Sequence, residues 1–404
     1  MAPLLTIPAM NDQPTDAPAW AQTGLQHLLQ RQFQAAAECL RRSVVLDAKA
    51  APVWLHLAMA ERALGRRDGE WEALKGALEA NPFDPMGLLM KAGWLERNGQ
   101  RHAAVKVYQG ALTVAAQHPG VITNDMQPLL ARARAATSSH QAELSTFMDQ
   151  QMALAAAELP PGELDRFWHT LDIHLGRRQR FDPQPMGLYY AQLAPVEFFD
   201  RRRFAWIEGL EAQTQAIRAE CLAALQDDAH ITPYLDYEAD QPLQQWAELN
   251  RNPRWSAYHL LKDGHRVEPN ATRCAATMAA LALVDQPVQQ GRTPVSMYSL
   301  LKPQTHIPPH VGVSNVRLVA HLPLVVPPEC ALRVGSRTHV WEEGRVCVFD
   351  DTIEHEAWNR SDLMRAVLIF DVWHPDLNEG ERRMIAALAR AMDAFTGDTA
   401  AMPL

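Results

Sequence analysis

Between residues 17 and 118 the apolar positions recur with a period of 34. Trp20, Trp54 and Leu88 share one column, and Gly24, Ala58 and Ala92 share the next. Leu40, Leu74 and Tyr108 form a large apolar column, Ser43, Ala77 and Ala111 a small one, and Arg31, Gly65 and Gly99 a column with the character of a turn. Large residues beside small ones at one long period predict two packed helices per repeat, each pair burying its apolar stripe only against its neighbours. Ala36 and Ala104 fit a further small column from which Glu70 departs. The pattern stays helical from about 121 to 180, interrupted at Pro160-Pro161, until Pro183 and Pro185 forbid regular helix. That change places a domain boundary near 180. One more amphipathic helix is expected over about 203–227, with Trp206, Ile207, Leu210 and Ile217 at helical spacing.

The 34-residue unit resembles the tetratricopeptide repeat, and three copies would offer a shallow surface to a protein partner. Further on the period changes. Short β-branched and apolar runs, PVSMYSLL, VRLVAHLPLVV, ALRVG, THVWEEG, RVCVFDD and RAVLIFDVW, recur between turn residues. Such spacing predicts an antiparallel sandwich or closed barrel rather than alternating strands and helices. His310, His321, His355 and Arg365 interrupt the inward-facing pattern. A small barrel that is polar near one mouth usually holds a ligand there.

Composition narrows the functions. The 404 residues are 47% hydrophobic and 21% charged, ordinary for a globular chain with room for two or three cores. With 38 basic and 47 acidic side chains, the net charge of −9 argues against nucleic acid as a partner. No run approaches the roughly 18 apolar residues of a membrane span, and the first residues lack the basic and apolar regions of an export signal. A soluble, cytoplasmic protein is therefore expected. The five cysteines are scattered without a C-x-x-C pair, which disfavours a disulfide framework or a zinc knuckle.

The stretch HIPPHVGVSN poses the sharpest chemical question. A histidine that opens a two-histidine, one-carboxylate iron site is followed two positions later by an acid, and after His310 that position is Gly312. Either the stretch binds no metal, or it binds one without that carboxylate. His310 follows Pro308-Pro309, expected to form a turn that presents its ring at a barrel mouth; His355 lies 45 residues after His310, and Arg365 lies 10 after His355. The second interval is close to the one at which iron oxygenases using 2-oxoglutarate place a second histidine and a cation.

The run YSLLKPQTHIPPHVGVSNVRLVAHLPLVVP, with WEEGRVCVFDDTIEHEAWNRS and RAVLIFDVWHPDL after it, resembles the aspartyl/asparaginyl β-hydroxylases over about 186–378. The motifs that carry the resemblance are, in order, H-x-G, R-L-x-x-H-L, W-E-E-G, F-D-D-x-x-x-H-E and D-V-W-H-P. It implies a double-stranded β-helix (jelly-roll, cupin-like) oxygenase domain behind helical repeats, hence a multidomain α + β chain. It also implies Fe(II) held by His310 and His355, with water in place of the missing carboxylate and Asp351 as the catalytic-site acid that accepts a hydrogen bond from that water.

The resemblance further implies 2-oxoglutarate and O2 as cosubstrates. Arg365 would grip the distal carboxylate through its planar fork of donors, with Ser299 as a helper and His321 as a further contact. Arg317 aligns with a family arginine and is expected on the substrate. The second arginine of that strand in the animal enzymes is Val319 here, so a carboxylate clamp is missing. The expected reaction is hydroxylation of an unactivated C–H, foremost the β-carbon of an aspartyl or asparaginyl residue in a peptide or protein. A free amino acid or a lipid acyl chain is the alternative substrate. A non-catalytic scaffold with a degenerate barrel is a second alternative, against which the joint presence of His310, His355 and Arg365 counts. The expected organisation is a flexible N-terminus over 1–16, repeats over 17–118, a helical connector over 119–182, the oxygenase domain over 183–378, and a C-terminal helix and tail over 379–404.

Overall fold

A large apolar side chain repeated at a period of 34 needs a small one opposite it, and the first six helices supply that pairing. They are α1 (Ala17–Leu29), α2 (Phe33–Leu46), α3 (Ala51–Ala63), α4 (Arg67–Ala80), α5 (Pro85–Arg97) and α6 (Arg101–Gln117), packed as consecutive pairs. A Cβ on Gly24 would stand 2.7 Å from Leu40 Cγ, so this column must be small where the helices touch. Leu40, Leu74, Tyr108, Ala58 and Ala92 are all buried. The turn column is left-handed at each member, with φ of 60° at Arg31, 73° at Gly65 and 75° at Gly99, which is why glycine recurs there. Glu70, the departure from the small column, is buried with its carboxylate 2.5 Å from Arg97 Nη2.

Leu74 sits at the centre of the α2–α4 core with no exposed surface. Leu74→Ala is expected to destabilise the repeat unit by roughly 2–5 kcal/mol through lost burial and a residual cavity. Urea unfolding followed by helical circular dichroism measures it.

The structure, a computed structural model, describes residues 16–160, 164–226, 228–238, 240, 246–289 and 291–397. The chain divides into two compact units, 1–166 and 167–404. The expected flexible N-terminus lies outside the described residues except for Asp16, whose carboxylate accepts the Ala19 N–H at 2.9 Å and caps α1. The first unit is thus a helical repeat array, continued by the long α7 (Gln127–Ala156); α8 (Asp165–His174) runs across the division. No described helix is long and apolar enough to cross a membrane.

The second unit is antiparallel β. Its strands are β1 (Thr232–Pro233), β2 (Trp255–Lys262), β3 (His265–Arg266), β4 (Ser296–Leu301), β5 (Thr305–His310), β6 (Arg317–Val325), β7 (Cys330–Val334), β8 (Arg337–Val340), β9 (Cys347–Phe349), β10 (His355–Asn359) and β11 (Arg365–Trp373). One sheet has the order β1-β2-β4-β11-β6-β9, with β3 on β2, and the other has β5-β10-β7-β8. From β4 onward the chain crosses from sheet to sheet at each step except the β7–β8 hairpin. Alternation along β6 explains the layering. Leu318, Ala320, Leu322 and Leu324 join the core formed with α9 (Ile207–Glu211), α10 (Thr214–Ala224) and, beyond α11 (Glu268–Arg273), which packs on β2, α12 (Ala275–Leu281), while Arg317, Val319 and His321 face the space between the sheets. The last helix, α13 (Glu379–Thr396), starts at a capping box between Asn378 and Glu381.

Two expectations from the sequence need correction. Pro308-Pro309 does not form a turn: it lies inside β5, an edge strand, where a missing N–H breaks no central ladder. The single helix expected over about 203–227 is broken between α9 and α10. Glu211, at the break, turns its carboxylate to Arg201 and to the Val346 N–H at 2.6 Å, and Thr214 Oγ1 donates to the Glu211 carbonyl at 2.6 Å.

Candidate active site

Antiparallel pairing brings the two histidines together. His310 ends β5, His355 begins β10, and the two are direct partners in the ladder, with ring centroids 4.0 Å apart. His310 Nδ1 lies 2.8 Å from the Pro308 carbonyl and His355 Nδ1 3.1 Å from that of Ile353. Because a carbonyl only accepts, each Nδ1 carries the proton and each Nε2 keeps its lone pair. Burial lowers both pKa values, to about 3 for His310, with His355 contributing, and to about 4 for His355. Two neutral imidazoles with free Nε2 atoms are suited to a divalent transition metal. Among the described residues no group of three or more His, Cys, Asp or Glu side chains is placed to hold a metal.

Gly312 shows where a third ligand would have to go. A Cβ there would overlap the Asp351 carboxylate, with Oδ1 2.6 Å away and Oδ2 and Cγ closer still, and the Gly312 N–H donates to the Asp351 carbonyl at 2.6 Å. Asp351 therefore fills the volume that any side chain at 312 would need. Its Oδ1 is buried without a hydrogen-bond partner. Burial raises the Asp351 pKa against the opposing pull of Arg317, and an orphaned buried oxygen of this kind calls for a donor such as bound water.

Arg365 is the other unbalanced group. It is 2% exposed at the start of β11, its Nη1 donates to Ser299 O at 3.2 Å and Oγ at 3.3 Å, and its Nε has no partner. Its guanidinium lies 5.0 Å from the Trp341 ring, and no carboxylate pairs with it among the described residues. Burial without an anion lowers its pKa to about 10. Trp255 Nε1 also donates to Ser299 Oγ at 3.3 Å and so fixes that hydroxyl. Buried His321 has an unpartnered Nδ1 and packs against Phe349 and Trp341, and burial beside Arg365 holds it neutral.

These groups line one cavity of about 580 Å³ between the two sheets, with His310, His355, Asp351, Ser299, His321, Arg365 and Arg317 all on its wall. Arg317 differs from Arg365 in being matched. Its Nη1 is 3.0 Å from Asp371 Oδ1 and 3.6 Å from Asp351 Oδ2. Burial works against its charge, but the two aspartates outweigh that and raise its pKa. Sequence reasoning missed Asp371, although a buried acid inside the AVLIFDVW run, apolar but for it, is a usable signal. It also missed the aromatic wall. Trp246 meets His310 edge-on at 5.1 Å, and Tyr234 stacks on Trp255 at 4.0 Å; nothing in their local sequence marks them.

A sequence model of the family described as aspartyl/asparaginyl beta-hydroxylase matches residues 211–375. The human protein named aspartyl/asparaginyl beta-hydroxylase is 35% identical over 185 residues, 45% of this chain and 23% of its own length. A Rhizobium tropici protein named ornithine lipid ester-linked acyl 2-hydroxylase is 33% identical over 195 residues, 48% of this chain and 66% of its own length. The chain thus spans about a quarter of the human relative and about two thirds of the bacterial one. The TPR2B domain of yeast Sti1, solved in a complex with pHsp70, superposes at a TM-score of 0.27 and 16% identity over 30% of this chain and 96% of its own, a likeness too partial to weigh. On the family match and these identities, the C-terminal unit of this chain belongs to the aspartyl/asparaginyl β-hydroxylase family.

Proposed function

We propose that this protein is an iron(II)- and 2-oxoglutarate-dependent hydroxylase built on a double-stranded β-helix. The crossing of successive strands between two facing sheets supports that fold. The observation that carries the function is Arg365: a buried cation with no carboxylate partner among the described residues, in the same cavity as two imidazoles with free Nε2 atoms. A buried charge without a counter-ion is costly, so the cavity is arranged for an anion that arrives with the reaction.

His310 and His355 would hold the iron, and Arg365 with Ser299 would receive the far carboxylate of 2-oxoglutarate. When bound, the iron couples decarboxylation of 2-oxoglutarate by O2 to insertion of one oxygen atom into a C–H bond, giving succinate, CO2 and the alcohol. The protein's own part is placement. The Pro308 and Ile353 carbonyls fix the imidazole tautomers, Trp255 orients the Ser299 hydroxyl, and Asp351 Oδ1 offers an acceptor to a water beside the histidines. Apolar walls from both sheets exclude bulk water from the reacting groups.

Arg365→Lys tests the reading. Lysine keeps the charge and loses the planar fork, at an expected cost of roughly 1.5–3 kcal/mol in 2-oxoglutarate binding, about 10- to 150-fold in Kd. Metal affinity is expected to change far less. Calorimetric titration of Mn(II) into the metal-free protein and of 2-oxoglutarate into the Mn(II)-loaded protein measures the two, and an unchanged 2-oxoglutarate Kd would assign the anion to another cation. The names of the relatives span two substrate classes, a peptidyl side chain and an ester-linked acyl chain. Hydroxylation of an aspartyl or asparaginyl residue is the reading closest to the human relative's name, and the acyl chain is the one closest to the bacterial relative's.

A further inference from the structure

We infer that the group hydroxylated is an uncharged aliphatic chain, of the kind found in an acyl ester or amide, which enters the cavity past an aromatic mouth while its polar head stays outside. The inference rests on the hydroxylase reading above and concerns the part of the cavity that reading leaves for substrate. Its ground is an inventory of the polar side chains on the wall. His310, His355, Ser299, His321 and Arg365 belong to the metal and cosubstrate positions. Arg317 is matched by Asp371 and Asp351, Asp371 also accepts the Val295 N–H at 2.7 Å, and Glu354 pairs with Arg333 at 2.9 Å. Among the described residues, no lining cation is left over for a substrate carboxylate.

The remaining wall is apolar. Met186, Val311 and Val313 line it, together with Tyr234, Tyr237 and Trp246. Tyr234 and Tyr237 keep 38% and 39% of their surface exposed and so stand at the open side. The Tyr234 hydroxyl is buried beside Arg317, Asp351 and Asp371, and a neutral phenol carries no charge to set against a carboxylate. On β6 the alternation that directs Arg317 and His321 into the cavity directs Val319 there too, so the wall between the matched arginine and the cosubstrate histidine is a methyl surface. Transferring a carboxylate from water to such a wall loses its hydration without replacement, and an amide side chain finds fewer partners there than it had in water. A methylene chain has no hydrogen bonds to lose, and its burial outweighs the rotational freedom it gives up.

The test uses the full chain and two independent readouts. In the first, N-methyl amides of hexanoic, octanoic and decanoic acid are titrated into the metal-free protein by calorimetry. The expected result is a Kd that falls about fourfold per added methylene. Val313→Glu, which adds a carboxylate at a partly exposed wall position, is expected to weaken decanoyl amide binding at least about tenfold. A Kd independent of chain length, or unaffected by Val313→Glu, overturns the inference. In the second, the Fe(II)-loaded protein with 2-oxoglutarate and O2 is offered the decanoyl amide and a matched pair of peptides that differ only in aspartate or asparagine. The expected product is the decanoyl amide gaining one oxygen by mass, at roughly 100-fold or more over either peptide. Preference for either peptide overturns the inference and leaves the hydroxylase reading standing. Chain-length-dependent binding with no succinate under any condition overturns the hydroxylase reading instead.

Discussion

Replacing His355 by alanine is expected to abolish metal binding, and hydroxylation with it. His310 and His355 are direct neighbours in the β5–β10 ladder, and among the described residues no group of three or more His, Cys, Asp or Glu side chains is placed to hold a metal. Loss of one of two imidazoles therefore leaves a single protein donor. Removing even the outer partners of metal ligands costs 10–100-fold, so a ligand itself is expected to cost at least ~100-fold in affinity. The fold should tolerate the change. His355 carries no buried charge that would be left uncompensated, because its pKa of about 4 keeps it neutral, and its hydrogen bond goes to a backbone carbonyl two residues away. The measurement is metal content after reconstitution with Fe(II) or Mn(II), read beside the unfolding midpoint. A variant that still binds one metal per chain at wild-type affinity would remove His355 from the site.

Substitution at Gly312 is expected to have the second largest effect. Restoring an acid two residues after His310 would, on the simplest view, complete a carboxylate-bearing triad and tighten iron binding. The space for it is already taken. A Cβ at this position overlaps the Asp351 carboxylate, so Gly312→Asp must expel Asp351 or shift the chain after β5, and it leaves two acids where one was seated. Like charges in a buried site raise at least one carboxyl pKa and waste the new ligand. Hydroxylation is expected to fall by ~10–100-fold, with overpacking costing roughly 1–3 kcal/mol of stability. Gly312→Ala is the informative control. It carries the same Cβ without the charge, so if steric displacement of Asp351 is the cause, both variants lose activity. Wild-type behaviour of Gly312→Ala in coupled succinate formation and thermal unfolding would show that residue 312 does not face Asp351.

Local pattern was enough for the repeat array and for six of the strands. In the array each column is read by contacts a few tens of residues apart, so large-small alternation and the left-handed turn at Arg31, Gly65 and Gly99 are written directly into the chain. The strands β4, β6, β7, β8, β9 and β11 declared themselves because they are apolar or β-branched over most of their length. β5 and β10 did not. THIPPH contains two prolines and HEAWN is half polar, and both become strands only because each supplies the other's ladder partner, with β7 completing the row. Those are the strands that bear the two histidines. The same side chains that suit them to hold a metal made them poor strands by propensity.

The motifs therefore named His310, His355, Arg365, Ser299, His321, Asp351 and Arg317 in sequence, but only the tertiary structure decided what each one faces. Arg317 and Arg365 have the same side chain and lie in neighbouring strands, yet Asp371 and Asp351 match the first and no carboxylate among the described residues matches the second. That difference comes from strand register, which pairs Trp373 with Arg317 and Leu301 with Arg365 and thereby sets which side chains share a face. Likewise the glycine of H-x-G reads in sequence as a missing ligand. In three dimensions it is the space that Asp351 occupies, because backbone hydrogen bonding between Gly312 and Asp351 brings the two segments too close for any side chain at 312. Residue identity is local and survives in the sequence; occupancy of a shared volume depends on two segments at once, and only folding brings them together.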